Sequence, residues 1–334
     1  MGSPFFVFVM PDFEQDIFKI RNQDQFDALA VRLFNYQFRH NTVYRQFISS
    51  LRMNLSEITK AADIPCMPVE FFKRHEVKTG DFNAEKCFMS SGTGQQQRSV
   101  HHVKSLRLYR ESLTKTFRYF YGNPEDYAIF ALLPSYLERE NASLVYMAKT
   151  LMDYNPQNHG GFYLNHKSGL QKAIDAALSQ GFKPLLIGVS FALLDIADAG
   201  DMQLSDTIIM ETGGMKGRRR EIIRDELHAI LQEKIQPKAI HSEYGMTELL
   251  SQAYNKGDSI FRTPPWMQVF IRDIHDPREY LVQGQQGLIN VIDLSNIHSC
   301  AFLETKDLGK RSDSGFNVSG RLDYSDIRGC NLLL

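Results

Sequence analysis

The stretch 206–249 constrains the fold of this chain more than any other. Two apolar runs, Thr207–Met210 and Lys238–Ile240, flank a segment from Arg218 to Glu233 whose apolar residues recur at helical spacing. Such spacing lays one face of a helix on a sheet. We therefore predict a strand, helix, strand unit.

Each of the two apolar runs ends in a polar cluster that contains glycine. The clusters read Glu211-Thr-Gly-Gly-Met-Lys-Gly217 and His241-Ser-Glu-Tyr-Gly-Met-Thr-Glu248. Loops that leave the carboxyl ends of parallel strands meet at one edge of a sheet, which is where open α/β sheets bind ligands. Both clusters should therefore line one crevice.

The rest of the chain predicts an α/β body followed by a β-rich portion. Further strands are predicted at 86–90, 127–133 and 185–189, and helices at 16–51, 106–121, 142–152 and 168–179. Strands that alternate with helices indicate a mainly parallel sheet covered on both faces. Beyond Tyr254 only short β-type runs follow, at 267–273, 287–294 and 299–303. The predicted units are an N-terminal helical segment (1–80), an α/β core (81–255) and a β-rich subdomain (256–334).

Composition bounds the functional class. The 334 residues are 43% hydrophobic and 23% charged, which is typical of a soluble globular protein. A net charge of −1 argues against a nucleic-acid partner. The apolar segment Pro4–Met10 is too short to cross a bilayer, so we expect no membrane span and a cytoplasmic protein. Four widely spaced cysteines without a CxxC pair argue against a zinc knuckle or a disulfide framework.

The loop Ser91–Ser99 follows a predicted strand directly. Its small hydroxyl residues and two glycines allow backbone N–H groups to approach an anion closely, so a phosphate is a natural ligand. A surface turn is the alternative, because such loops are common. The loop is neither a Walker loop nor a dinucleotide fingerprint, since the Gly-Lys-Ser/Thr and the third glycine are missing.

The segment Gly188-Val-Ser190 superficially resembles the nucleophile elbow of a serine hydrolase. The segment lacks the second glycine of a nucleophile elbow, and no Asp and His in the required order support it. Hydrolase chemistry is therefore not expected.

Four clusters in this order carry a family resemblance. They are Ser90-Ser-Gly-Thr-Gly94, Thr212-Gly-Gly-Met-Lys-Gly-Arg218, Tyr244-Gly-Met-Thr-Glu248 and Thr305-Lys-Asp-Leu-Gly309, the last followed by Gly320-Arg321. Together they resemble the core motifs of the acyl- and aryl-adenylate-forming enzymes. The strings Gly213–Gly217 and Arg328-Gly-Cys330 are most similar to the LuxE-type acyl-protein synthetases. The resemblance spans residues from about Phe34 to Leu334 and implies the large N-terminal domain of that superfamily, an α/β fold with a β-rich portion.

The resemblance also implies roles for individual residues. The residues implied to form the phosphate loop for ATP are Ser90, Ser91, Gly92, Thr93 and Gly94. Those implied to lie beside the base and the acyl group are Gly213, Gly214, Tyr244 and Gly245. Asp307 and Arg321 are implied to contact the ribose. Thr247 would contact phosphate and Glu248 would hold Mg²⁺, although both could simply begin a helix. The phosphate loop departs from the family pattern by one missing residue and a missing lysine, and Arg98 or Lys216 is the candidate replacement.

The end of the sequence departs most from the superfamily. Only thirteen residues follow Arg321, so we expect the usual mobile lid domain to be absent. By resemblance Cys330 is the carrier of an acyl thioester, and a nearby Arg328 would favour its thiolate. An idle thiol is the alternative. Cys66, Cys87 and Cys300 lie among apolar residues and are expected in the core.

The leading hypothesis is an acyl-protein synthetase that uses ATP and Mg²⁺ to activate a carboxylic acid, with a fatty acid favoured by resemblance. The acyl group would pass to Cys330 and then to an acyl reductase or another acyl-acceptor protein. A first alternative is a phenylacetate-CoA-ligase-like enzyme that acylates CoA or a carrier-protein thiol directly. A second is a nucleotide-binding subunit that has lost catalysis.

Overall fold

The computed structural model describes residues 12–91, 97–134, 140–164, 169–200, 202–213, 222–276 and 279–322. The helices in these ranges are α1 (Phe13–Asp16), α2 (Gln23–His40), α3 (Thr42–Ser50), α4 (Phe71–Arg74), α5 (Leu106–Tyr121), α6 (Ser143–Met152), α7 (Leu170–Ser179), α8 (Ser190–Ala199) and α9 (Arg224–Ile235). Short 3-10 helices lie at Ile17–Lys19, Leu55–Glu57, Ala61–Asp63 and Pro124–Asp126. The strands are β1 (Met67–Pro68), β2 (Lys86–Met89), β3 (Val100–Val103), β4 (Tyr127–Leu132), β5 (Gly160–Phe162), β6 (Lys183–Val189), β7 (Ile208–Thr212), β8 (Ala239–Tyr244), β9 (Ala253–Asn255), β10 (Met267–Arg272), β11 (Gln286–Asp293), β12 (Phe302–Ser312) and β13 (Gly315–Arg321).

The larger sheet has the order β5-β4-β6-β7-β8-β9. All of its neighbouring strands are parallel except β9, which runs antiparallel to β8. Strand β4 is buried along its whole length, as expected for a parallel strand covered on both faces. The predicted parallel α/β body is confirmed. Strands β7 and β8 pair in parallel so that Thr212 lies opposite Glu243, and the two polar clusters therefore begin side by side.

The second sheet is formed by β1, β10, β11, β12 and β13. Strands β10 to β13 pair antiparallel in sequence order, whereas the two residues of β1 pair in parallel with β12. This sheet is the predicted β-rich portion. The β2–β3 hairpin forms a separate two-stranded sheet.

Two hydrophobic cores hold these layers together. One joins the N-terminal helices to the antiparallel sheet and includes Phe34 and Tyr44, whose rings lie within 6.3 Å of the ring of Phe302. The other lies on the parallel sheet and includes Ile129 and Met210. The N-terminal helices therefore pack mainly against strands that lie more than 200 residues later in the chain.

Several predicted boundaries are corrected. The predicted helix 16–51 is interrupted at residues 20–22, between the 3-10 helix Ile17–Lys19 and α2. It is divided again at Asn41, whose side-chain oxygen accepts a hydrogen bond from the backbone N–H of Tyr44 and starts a new helix. Strand β8 continues four residues beyond Ile240, so the second polar cluster begins inside the strand. Ile223 precedes α9 and is 68% exposed, so it does not pack on the sheet as its spacing predicted.

The described cysteines are Cys66, Cys87 and Cys300, and all three are free thiols. Cys66 and Cys300 are buried, as predicted. Cys87 is only half-buried on the outer side of the hairpin, where its Sγ lies 3.4 Å from Nδ1 of His102, so its assignment to the core was wrong. Among the described helices, none is both long and apolar enough to cross a bilayer.

Candidate active site

The carboxyl ends of β7 and β8 form the base of the candidate site. Gly213 and Gly245 follow these two strands and are both exposed at the sheet edge. A Cβ on Gly245 would lie 2.2 Å from Oε1 of Glu243, so no larger residue fits there without displacing that carboxyl group. Because both glycines are exposed, their backbone is accessible to a ligand at this edge.

The site brings together Tyr244, Asp307 and Arg321 from three strands. The Tyr244 hydroxyl donates a hydrogen bond to Oδ2 of Asp307 over 2.9 Å. Asp307 lies opposite Arg321 in the β12–β13 register, and Nε of Arg321 is 3.8 Å from Oδ1 of Asp307. Burial raises the pKa of Asp307, while Arg321 and the Tyr244 hydroxyl act in the opposite direction. A carboxylate in this position can still accept donors from a ligand, since each of its oxygens accepts two.

Glu248 lies in the turn that follows β8. Its side chain is buried, and burial raises the pKa of its carboxyl group, although a hydrogen bond with the Ser99 side chain and the charges of Arg321 and Lys73 oppose that shift. Arg321 therefore acts electrostatically on Asp307 as well as on Glu248. Residues 247 and 248 form a turn and not a helix start, which removes the capping alternative for Thr247 and Glu248.

His101 holds the turn in place, a role that the sequence did not reveal. Its Nδ1 donates a hydrogen bond to the backbone oxygen of Thr247 over 2.8 Å. His101 is buried, which lowers its pKa to about 4, so the ring is neutral near pH 7. The predicted phosphate loop connects β2 to β3. The hydrogen bond of His101 therefore ties this hairpin to the turn that carries Glu248.

Asp293 is a second anchor that the sequence did not reveal. Its fully buried carboxylate accepts hydrogen bonds from the backbone N–H groups of Leu250 and Ser251 at 2.9 Å each, and from the hydroxyl of Ser251 at 2.7 Å. The backbone and hydroxyl of Ser295 donate to the same carboxylate. The chain leaving Glu248 is therefore fixed to the end of β11.

The predicted phosphate loop is described only in part. Ser90 accepts a hydrogen bond from the backbone N–H of Ser99 at its Oγ, 3.0 Å away, which closes the base of the loop. Ser91 and Arg98 are exposed beside it. The predicted site residues Gly92, Thr93, Gly94, Gly214 and Cys330 lie outside the described residues, as does Lys216.

Ser190 has a structural partner and not a catalytic one. Its hydroxyl donates to Oε1 of the buried Glu211 at 3.0 Å, and Nε of Arg224 lies 3.5 Å from Oε2 of Glu211. The Ser190 hydroxyl therefore belongs to a polar contact with Glu211 and Arg224.

Comparison with known structures decides the fold. A search among known protein families finds no match. The structure superposes on 2-hydroxyisobutyryl-CoA ligase in complex with an acyl-AMP with a TM-score of 0.66 at 11% identity, covering 94% of this chain and 69% of that one. This chain has the adenylate-forming fold.

Two further similarities agree with this fold. ATP-bound MatB from Rhodopseudomonas palustris superposes with a TM-score of 0.51 at 16% identity over 70% of this chain, which spans about half of MatB (47%). In sequence, the chain is 24% identical to the long-chain-fatty-acid–luciferin-component ligase of Vibrio harveyi over 346 aligned positions, covering 94% of this chain and 88% of that ligase. The homologue is a LuxE acyl-protein synthetase, so the predicted resemblance and the ligase class are confirmed.

The described site also fits the ligands that the resemblance implies. Within the described ranges, no group of three or more His, Cys, Asp or Glu side chains could enclose a metal. Mg²⁺ is commonly held by one or two carboxylates together with substrate phosphates, and the single buried carboxylate of Glu248 suits that arrangement.

Proposed function

We propose that the chain activates a carboxylic acid with ATP to give an acyl-adenylate and pyrophosphate. The observation that supports this most is the convergence of Asp307, Arg321 and Glu248 at the open edge of β7 and β8. A ribose-binding carboxylate, a cation and a metal-binding carboxylate are the groups that this reaction needs near one another. The homologous ligase and the acyl-AMP complex of the fold relative agree with that chemistry.

In this proposal, one carboxylate oxygen of the acid attacks the α-phosphorus of ATP. A new P–O bond forms, the bond to the leaving pyrophosphate breaks, and no proton is transferred. Asp307 accepts the ribose hydroxyls and Thr247 contacts phosphate. Glu248 would hold Mg²⁺, which would neutralise charge on the phosphates when bound. Ser90 to Gly94 surround the phosphates, while Gly213, Gly214, Tyr244 and Gly245 flank the base and the acyl group.

The second step of the proposal is transfer to Cys330. Its thiolate attacks the carbonyl carbon of the acyl-adenylate, so that a C–S bond forms, the C–O bond to phosphate breaks and AMP leaves. The thiol proton goes to solvent. The acyl group then passes to a partner, either an acyl reductase or another acyl-acceptor protein. The Arg328-Gly-Cys330 string and the similarity to the luminescence ligase support this step.

The test is exchange of radioactive pyrophosphate into ATP, measured with and without a series of carboxylic acids. Exchange that depends on both an acid and Mg²⁺ is expected for either kind of ligase. Its absence for all acids would favour a nucleotide-binding subunit. Labelling with a radioactive acid then separates the ligases, because an acyl thioester on Cys330 gives an adduct on this chain that is sensitive to hydroxylamine and is lost in Cys330→Ser.

A further inference from the structure

The turn that carries Glu248 is fixed at its backbone by side chains from two other segments. Nδ1 of His101 donates a hydrogen bond to the carbonyl oxygen of Thr247 over 2.8 Å. Nδ2 of Asn296 donates to the carbonyl oxygen of Glu248 over 2.6 Å. Both donors are only 1% exposed, so these bonds lie away from water, where hydrogen bonds are electrostatically stronger. The fold thus sets the backbone position of Glu248, and the orientation of its carboxylate depends on the side-chain torsions.

Ser99 acts on the carboxylate itself. Its hydroxyl donates a hydrogen bond to the Glu248 carboxylate, and both residues are buried. Arg321 and Lys73 also influence this carboxylate, through their charges. A charge attracts a carboxylate from many directions, whereas a hydrogen bond depends on direction as well as on distance. Ser99 is therefore the described side chain best suited to orient the Glu248 carboxylate.

The position of Ser99 does not depend on its own hydroxyl. The backbone N–H of Ser99 donates to Oγ of Ser90 over 3.0 Å, and its carbonyl oxygen accepts a hydrogen bond from the backbone N–H of Ser90 over 3.1 Å. Ser99 stands one residue before β3, and its side chain lies on the same buried face as His101, two residues later. Removing the hydroxyl would therefore leave the backbone of Ser99 in place and release only the Glu248 carboxylate.

The acceptor capacity of Glu248 allows it to bond Ser99 and a metal ion together. A carboxylate has about four lone-pair sites, so one hydrogen bond from Ser99 leaves others for Mg²⁺. Carboxylates that bind metals are commonly held by further hydrogen bonds, and loss of such a bond typically lowers metal affinity by about ten- to hundredfold. Because Glu248 is the carboxylate assigned to Mg²⁺, its orientation affects how well the metal ion and the ATP phosphates bind together.

We propose that Ser99 is a positioning residue for Mg²⁺–ATP, because its hydroxyl holds the Glu248 carboxylate in the orientation that receives the metal ion. The inference deepens the proposed adenylation and rests on its Mg²⁺–ATP site. Ser99 acts through Glu248 and contacts neither the nucleotide nor the acid. Loss of its hydroxyl should therefore weaken the binding of Mg²⁺–ATP and leave the binding of metal-free ATP unchanged.

The experiment titrates ATP into the protein by isothermal titration calorimetry, once with MgCl₂ and once with EDTA. No carboxylic acid is added, so the titration measures binding and not turnover. Ser99→Ala should reduce the ratio of the two ATP affinities by about tenfold or more, while the affinity in EDTA stays within about twofold of the wild type. Pyrophosphate exchange with acid present should show a raised KM for Mg²⁺ and a kcat that largely recovers at saturating Mg²⁺.

Two further variants separate the hydrogen bond from packing. Ser99→Cys nearly keeps the volume of the side chain but offers only a weak S–H donor, so it should behave like Ser99→Ala. Ser299→Ala is the matched control, because Ser299 is a buried serine whose hydroxyl donates to the carbonyl oxygen of Val77 over 3.1 Å. Its ratio of ATP affinities should equal that of the wild type.

An unchanged ratio in Ser99→Ala, an equal loss of ATP affinity with Mg²⁺ and with EDTA, or a wild-type ratio in Ser99→Cys would overturn the proposal and leave adenylation in place. The proposal also fails if Mg²⁺ does not raise the ATP affinity of the wild type. Adenylation alone is refuted if the wild type binds ATP more tightly with Mg²⁺ but no acid supports pyrophosphate exchange.

Discussion

The Tyr244 hydroxyl donates a 2.9 Å hydrogen bond to the Asp307 carboxylate, and it thereby joins the parallel sheet to the antiparallel sheet at the candidate ribose position. The two residues are 63 positions apart in sequence. Around Tyr244, the rings of Phe261 and Phe316 lie with centroids 5.9 Å and 5.4 Å away. The position of Asp307 therefore depends on a tyrosine that is itself held by packing.

Replacing Asp307 by Ala should weaken ATP binding more than it slows chemistry. The ribose hydroxyls do not change charge in the transition state. Losing the hydrogen bonds between them and Asp307 should therefore raise KM for ATP more than it lowers kcat. We expect an increase in KM for ATP of about tenfold or more, as for the loss of a hydrogen bond to a charged group. Tyr244→Phe, which removes only the hydroxyl, should show a smaller increase. An unchanged KM in Asp307→Ala would remove this residue from the nucleotide site.

Replacing Glu248 by Gln should abolish most Mg²⁺-dependent adenylation. The change keeps the volume of the side chain and removes the charge that holds the metal. Loss of a key electrostatic group typically lowers kcat by on the order of a hundred- to a thousandfold. Pyrophosphate exchange measures the effect, and the exposed Glu233→Gln on α9 serves as the control. Near-normal exchange in Glu248→Gln would exclude this carboxylate as the metal ligand.

Replacing Cys330 by Ala should separate the two half-reactions. The thiol takes no part until the acyl-adenylate exists, so pyrophosphate exchange should continue while the covalent acyl-enzyme is lost. Cys87→Ala is the control, because Cys87 is a half-buried thiol among the described residues. Full acyl-enzyme formation in Cys330→Ala would show that a different nucleophile is used.

Replacing Asp293 by Asn should destabilise the protein strongly. In the native protein the Asp293 carboxylate accepts hydrogen bonds from two backbone N–H groups and a hydroxyl group. The asparagine side chain has an NH₂ group in place of one of these acceptor oxygens, so buried donors lose their acceptor. We expect the free energy of unfolding to fall by about 2–4 kcal/mol. Urea denaturation measures it, with the exposed Asp313→Asn expected to stay within about 0.5 kcal/mol of the wild type. An equally stable Asp293→Asn would contradict the anchoring role.

Glu243 should make stability decrease as pH rises from about 4.5 to 8. Its pKa is raised from 4.5 to about 8 by burial and by Glu211, so in this window the folded protein holds a proton that the unfolded chain releases. The free energy of unfolding then falls by roughly 1 kcal/mol per pH unit from this group. Buried tyrosines also lie close to its charge, namely Tyr109, Tyr121 and Tyr254.

Urea denaturation at pH 5, 6, 7 and 8 tests this linkage. Glu243→Gln cannot titrate, so its stability should fall less steeply than that of the wild type, and the two proteins should differ most at pH 8. Parallel pH profiles would mean that the carboxyl group is ionised in the folded protein across the whole window.

The sequence alone determined the elements whose signals are local. Helix α5 begins and ends where its apolar spacing predicted, and strands β4, β6 and β7 differ from their predicted bounds by at most two residues. Apolar residues that repeat every 3.6 or 2 positions identify helices and strands from neighbouring residues alone. The alternation of such helices and strands is sufficient to predict a parallel sheet. The meeting of the two polar clusters at one sheet edge follows from that order.

Only the tertiary structure decided which distant side chains hold the site together. His101 reaches Thr247 across 146 positions, and Asp293 binds the chain after Glu248 from more than 40 positions away. It also decided that Glu243 and Gln252 share a face with Thr212, whereas Tyr244 faces Asp307. Such contacts depend on how whole layers pack, and the helical spacing of the N-terminal segment does not reveal that its apolar face lies against β12. The contacts of His101 and Asp293 exist because a polar group is tolerated inside a protein only where the complete fold supplies a hydrogen-bond partner.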